Sequence, residues 1–183
     1  QGSLDGAKTG TGKPIDCSHP MIKRLSEIVA QTDHGHRFIP ASASGPREFG
    51  EASDFGKGLH WDVHGPWNVE KSVEGDWSDY WRKDDAMFRS EVGCPGASSM
   101  DIDMKYYGSL LKTQSQKDNP FSKIPCASWI QWSKYIEERV CHLNTLEDYI
   151  AWSQNRQASA LAIAARSCKQ RFPKCGGIII WMG

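Results

Sequence analysis

The stretch Ala86-Met87-Phe88-Arg89-Ser90-Glu91-Val92, stopped by Gly93-Cys94-Pro95-Gly96, reads as a short strand whose last turn-side residues include a carboxylate. Its meaning for the fold comes from what flanks it. Upstream, Leu59-His60-Trp61-Asp62-Val63-His64 alternates enough for a strand, and Gly65-Pro66 ends it. Downstream, Thr145-Leu146-Glu147-Asp148 opens a long helix, with Thr145 as cap and Asp148 as the acidic member of a capping box. An apolar stripe carries that helix to about Arg171, where Phe172-Pro173 stops it. Gly176-Gly177-Ile178-Ile179-Ile180-Trp181 then reads as a buried strand. Nearer the start, Met21, Ile22, Leu25, Ile28 and Val29 predict a helix with Pro20 in its first turn and Ser18 or His19 as cap, ending near Thr32-Asp33. Arg37-Phe38-Ile39-Pro40-Ala41 reads as a further short strand and 42–57 as a loop. The pattern is weak from Ser98 to Ile124, with room for one helix, and a second helical region starts near Ser128 and covers Trp129, Ile130, Trp132 and Ile136. Strands separated by helices imply parallel βα units and an α/β fold. Four strands are too few for a closed eight-stranded barrel; they suit a small open sheet or half of a barrel.

The chain has 183 residues, with 22 basic and 22 acidic side chains and a formal net charge of zero. No like-charge block stands out, which argues against a protein held on nucleic acid by phosphate contacts. No apolar run approaches the roughly 20 residues that span a bilayer, and no signal peptide opens the sequence. Six cysteines, none in C-x-x-C spacing, make a zinc ribbon or a redox motif a poor fit; they leave the compartment open, with periplasmic or secreted placement slightly ahead of cytoplasmic. Eight tryptophans are the oddest count. Trp61, Trp67, Trp77 and Trp81 stand beside polar or glycine residues, where a flat ring with one polar edge suits sugar stacking as well as a core.

In parallel α/β proteins the reacting groups lie at the C-terminal ends of the strands. In this sequence those ends offer Ser42 and Ser44, then Asp62 and His64, then Glu91, then Trp181. Glu91 is the candidate reactive carboxylate, and Arg89, two residues earlier, alternates to the same face, either orienting Glu91 or making a structural ion pair. Other chemistries fit the same residues. Cys94 with His60 or His64 would be a thiol nucleophile and base. His60, Asp62 and His64 alternate to one face of a strand, which permits a metal. The Trp-rich stretch from Trp61 to Trp81 would suit a non-catalytic carbohydrate-binding module.

Arg89-Ser90-Glu91-Val92-Gly93, followed by Cys94-Pro95-Gly96, resembles the "S-E-F/V-G" strand of glycoside hydrolase family 2, nearest to its β-mannosidase-like members. Asp33 to Gly45 resembles that family's fifth barrel strand, His60-Trp61-Asp62-Val63-His64-Gly65 its "D-x-H" sixth strand, and Gly176 to Met182 its "G-G-x-I-x-W" eighth. Four motifs in register, over roughly residues 18 to 183, are more specific than any one alone. The resemblance implies the C-terminal half of a (β/α)8 barrel, strands five to eight, over 18–183, with 1–17 an N-terminal loop or appended segment.

It also implies a retaining β-glycosidase of carbohydrate metabolism, β-mannosidase- or β-galactosidase-like, that acts on terminal β-glycosidic bonds of a β-glycoside or oligosaccharide. Such enzymes use two carboxyl groups about 5.5 Å apart. Glu91 would be the catalytic nucleophile, His64 and Arg89 would contact or order the substrate, Trp61 and Trp181 would stack on sugar, and neither metal nor other cofactor is called for. The family's acid/base glutamate lies in an Asn-Glu pair ahead of the region matching Ser18, and this sequence contains no Asn-Glu pair. The missing half of the barrel is therefore the first expected partner. The open sheet edges of a half barrel would also allow pairing into a homo-oligomer.

Overall fold

The computed structural model describes residues 16–44, 46–111, 131–138 and 145–181. In chain order the elements are α1 (Pro20–Thr32), β1 (Asp62–His64), α2 (Ser78–Lys83), β2 (Phe88–Val92), α3 (Met100–Leu111), α4 (Trp132–Glu138), α5 (Leu146–Gln170) and β3 (Ile178–Ile180). The mixed α/β class expected from the sequence is present. β1, β2 and β3 form one sheet in that order, and both pairings are parallel. The chain divides into two compact units: Gln1–Pro66 with Asp79–Gly93 and Ala164–Gly183, and Trp67–Ser78 with Cys94–Ile163.

The first unit holds the sheet. Its core is built on Val63, Val92, Trp81, Ala86, Ala164, Cys168 and Cys175, all buried. The expected strand Arg37–Ala41 is not formed. The segment Glu48–Gly50 lies along β1 instead: the His64 N–H donates to Glu48 O at 2.8 Å, the Gly50 N–H to His64 O at 3.1 Å, and Phe49 bridges His64 in parallel. Two features explain the change. Pro40 has no N–H to give a ladder, and Ser42 and Ser44 are engaged by side chains of β1 rather than by its backbone.

β2 is not a regular strand. Val63 stands opposite Arg89 and His64 opposite Glu91, so two steps on β2 match one step on β1. Against β3, Arg89 pairs with Ile178 and Val92 with Ile180, three steps against two. The extra residue at Ser90–Glu91 is a β-bulge, a device that re-aims a side chain at the end of a strand. Lateral partners in a parallel pair share a face. Arg89 therefore shares a face with Val63, and Glu91 with His64 on the other. The expectation that Arg89 and Glu91 face the same way is corrected by this bulge.

The Arg89 face carries a buried charge network. Asp84 accepts from Arg89 Nη2 and from Arg171 Nη2. Arg89 Nη1 donates to Gly65 O at 2.7 Å, Nη2 also donates to the Tyr80 hydroxyl at 2.6 Å, and that hydroxyl donates to Gly50 O at 2.5 Å. The guanidinium also lies over the Tyr80 and Trp81 rings, 5.3 and 5.2 Å from their centroids. Burial opposes a charge on Arg89, but Tyr80 and Asp84 outweigh it and hold the guanidinium more firmly protonated; burial likewise pushes the Tyr80 phenol up.

The second unit packs helices. Tyr135, Tyr149, Ile150, Ala97 and Leu111 form its core, with Trp132 and Trp152 against them. The capping box at the start of α5 is made as its sequence predicts: Thr145 Oγ1 donates to Asp148 Oδ2 at 2.8 Å and accepts from the Asp148 N–H at 3.1 Å. Of the helical region expected from Ser128, Trp132 to Glu138 is α4; Ser128 to Ile130 lie outside the described residues, as do residues 1–15 of the expected N-terminal segment.

Candidate active site

The groups at the C-terminal ends of β1 and β2 converge on one face of the sheet. His64 is 2% exposed, and Glu91, opposite it in the register, keeps 14% of its side chain open. His64 Nδ1 stands 3.8 Å from Glu91 Oε2, and its Nε2 is 2.9 Å from Ser42 Oγ. Asp62, two residues before His64 and on the same face, accepts from the Ser44 N–H at 3.1 Å and from Ser44 Oγ at 3.3 Å through Oδ2. Thus the D-x-H of β1 grips the S-x-S of the preceding loop, one pair of side chains at each step. The second Asp62 oxygen is buried with no hydrogen-bond partner.

Trp181 joins this end of the sheet. Its N–H donates to Val92 O at 2.8 Å, one residue past Glu91, and its side chain is about half exposed. Trp61 does not join it. Trp61 precedes β1, at the end of the strand opposite His64, with its indole N–H donating to Gly58 O at 3.1 Å. Arg89 is not offered to a ligand either: it is 0% exposed and its two terminal nitrogens donate to Asp84, Tyr80 and Gly65. Of the two roles open to Arg89, the structure shows the ion pair.

The competing chemistries fare differently. Burial pushes the Cys94 thiol up to about 11, against a weaker opposing field from Arg156, so little of it is thiolate at neutral pH. His60 is spent on Asp85, with Nδ1 2.7 Å from Oδ1, and stands edge-on to Phe55; no group of three His, Cys, Asp or Glu among the described residues is arranged to hold a metal. In the Trp-rich stretch, Trp77 and Trp81 are buried. The Trp77 indole N–H donates to Ala160 O at 2.9 Å, so these two are core rather than a sugar platform.

Sequence reasoning places Ser42 at a strand end but gives it no role. The usable signal is the matched spacing of Ser42-Ala43-Ser44 and Asp62-Val63-His64, which lets two neighbouring segments pair side chains at both positions. The arrangement offers a carboxylate at the open end of the central strand and an imidazole held beside it, with Trp181 at the same end of the sheet. That set can deliver a nucleophile or a base to a polar substrate. Comparison with protein-family models, with curated proteins and with solved structures finds no match to this chain. Among the described residues, no helix is long and apolar enough to cross a membrane.

Proposed function

We propose that this chain carries the nucleophile-bearing half of a retaining β-glycosidase, barrel strands five to eight, with Glu91 as the residue that forms the glycosyl-enzyme. The observation that carries the reading is the position of Glu91. It ends the central parallel strand, the bulge turns it to the His64 face, and it keeps an open edge there. The sequential parallel order of the Glu48–Gly50 segment, β1, β2 and β3 supports the barrel half. Trp181, half exposed beside Val92, is the stacking surface for the sugar. Glu91 attacks the anomeric carbon and displaces the aglycone; the leaving oxygen takes its proton from a second carboxyl group, supplied by the other barrel half, which then activates water to release the sugar.

The test uses 2-deoxy-2-fluoroglycosyl fluorides of the manno, galacto and gluco series, on this chain joined to its first barrel half. Fluoride leaves without a proton, so labelling reports the nucleophile and not the acid. The expected result is one glycosyl adduct on the peptide containing Glu91, lost in Glu91→Gln. An adduct elsewhere, a label indifferent to Glu91→Gln, or no label from any of the three sugars would sink the reading. The chain without its other half is expected to show negligible turnover of aryl β-glycosides.

A further inference from the structure

We infer that Ser42, acting through His64, is a positioning residue for Glu91, an inference that rests on the glycosidase reading. Three relations on one face make the relay: Ser42 Oγ to His64 Nε2 at 2.9 Å, His64 Nδ1 to Glu91 Oε2 at 3.8 Å, and the lateral pairing of His64 with Glu91 across two parallel strands.

A nucleophilic glutamate attacks as its carboxylate. A neutral imidazole facing a carboxylate with a bare Nδ1 would set lone pair against negative charge, so the ring turns its N–H that way and leaves Nε2 as the acceptor. The Ser42 hydroxyl then has one role at Nε2: it donates. In doing so it fixes the tautomer of a ring that is almost wholly buried and so cannot trade partners with water. Asp62 holds the neighbouring Ser44 through two bonds, which keeps the Ser42 end of the loop in place.

At 3.8 Å the His64–Glu91 contact is a charge–dipole attraction rather than a finished hydrogen bond. Such contacts in unliganded sites tighten when substrate arrives. The consequence is that one oxygen of the carboxylate, Oε2, is drawn toward His64, which sets the direction of the group. The hydroxyl, imidazole and carboxylate also have the order of an acyl-transfer relay, with Ser42 as nucleophile, and the experiment separates the two.

The experiment has two readouts on the wild type, Ser42→Ala, Ser42→Thr and Glu91→Gln. Long-range proton–nitrogen correlation spectra of ¹⁵N-histidine-labelled protein give the His64 tautomer directly. The expected wild-type form carries its proton on Nδ1; Ser42→Ala and Glu91→Gln each lose that fixed tautomer, and Ser42→Thr, which keeps the hydroxyl, retains it. With the joined enzyme on an aryl β-glycoside, Ser42→Ala lowers kcat about tenfold while KM stays within about twofold, and Ser42→Thr restores most of the loss.

A protein labelled at Glu91 whose His64 proton sits on Nε2 overturns the relay and leaves the glycosidase reading standing. A protein whose tautomer follows Ser42 and Glu91 as stated, yet takes no glycosyl label, overturns the glycosidase reading and with it the positioning role of Ser42 in that reaction. Covalent capture of Ser42 by a fluorophosphonate overturns the positioning role in favour of acyl transfer.

Discussion

Arg89 and Glu91 stand two residues apart on one strand and live in different media. Arg89 is 0% exposed and touches a buried carboxylate, a phenol, two aromatic faces and a backbone carbonyl. Glu91 has an open edge, and the imidazole of His64 faces it at a distance longer than a hydrogen bond. One charge is sealed from water and the other keeps an edge open to it. The bulge between them makes the difference, because it sends the two side chains to opposite faces. A strand can therefore anchor a fold and hold a carboxylate at an open edge within three residues, provided its regularity is broken in between.

The comparison breaks hardest at Asp84. Its carboxylate is the shared acceptor for Arg89 and Arg171 and is fully buried. Asp84→Ala leaves the fully buried Arg89 guanidinium and the partly exposed Arg171 beside it without their counter-charge, so a loss of about 3–5 kcal/mol is expected, measured as the shift in urea or guanidinium midpoint. A loss below about 1 kcal/mol would mean that the network is wet or relaxed in solution. Gly50 tests the same region from its backbone side. A Cβ there would run into the Arg89 guanidinium, coming within 2.6 Å of Cζ. The guanidinium cannot swing away without giving up Asp84, Tyr80 and Gly65, so Gly50→Ala is expected to cost about 1–3 kcal/mol by the same measurement.

What the sequence makes legible follows from how local each signal is. The α5 cap is readable because Thr145 and Asp148 are three residues apart and satisfy each other. The parallel sense of β2 and β3 is readable because a long helix, α5, lies between them. The bulge is not, since counting alternation along 88–92 contains nothing about where β1 and β3 fall in register. Nor is the role of Arg89: Tyr80 and Asp84 are near it in sequence, but Arg171 completes the network from 87 residues beyond Asp84. The short helix α2 leaves no pattern because six residues give less than two turns of periodicity and only Trp81 among them is buried. At the candidate site, Glu91, His64 and Trp181 follow from strand ends, while Ser42 needs the third dimension.

A third carboxylate sharpens the contrast with the sign reversed. Asp103, in the first turn of α3, is 1% exposed, its Oδ2 has no hydrogen-bond partner, and burial raises its pKa. At this position the folded protein holds the proton more tightly than the unfolded chain does. Asp103 is then neutral to stability at pH values below its unfolded pKa, about 3.9. It becomes a penalty that grows as pH rises from there toward its higher folded value and is constant above it. Asp103→Asn is expected to raise stability at pH 7 by about 1 kcal/mol and to leave it unchanged near pH 3. A loss at pH 7 would show that the carboxylate has a donor in solution.

The smallest expected effect falls on Glu91 itself, and it decides what kind of residue this is. A carboxylate retained for the fold leaves a scar when it is neutralised, as Asp84 should. Glu91 keeps 14% of its side chain open, so water still reaches its carboxylate, and little folding energy is expected to be tied to its charge. Glu91→Gln keeps the shape and removes the charge, and its unfolding midpoint should match wild type to within about 0.5 kcal/mol. If the change costs as much as Gly50→Ala, Glu91 is part of the scaffold, and the chemistry at this end of the sheet belongs to another group. If stability is unmoved while covalent labelling disappears, the two charges of β2 have been separated by experiment into one that holds the sheet and one that the sheet holds out.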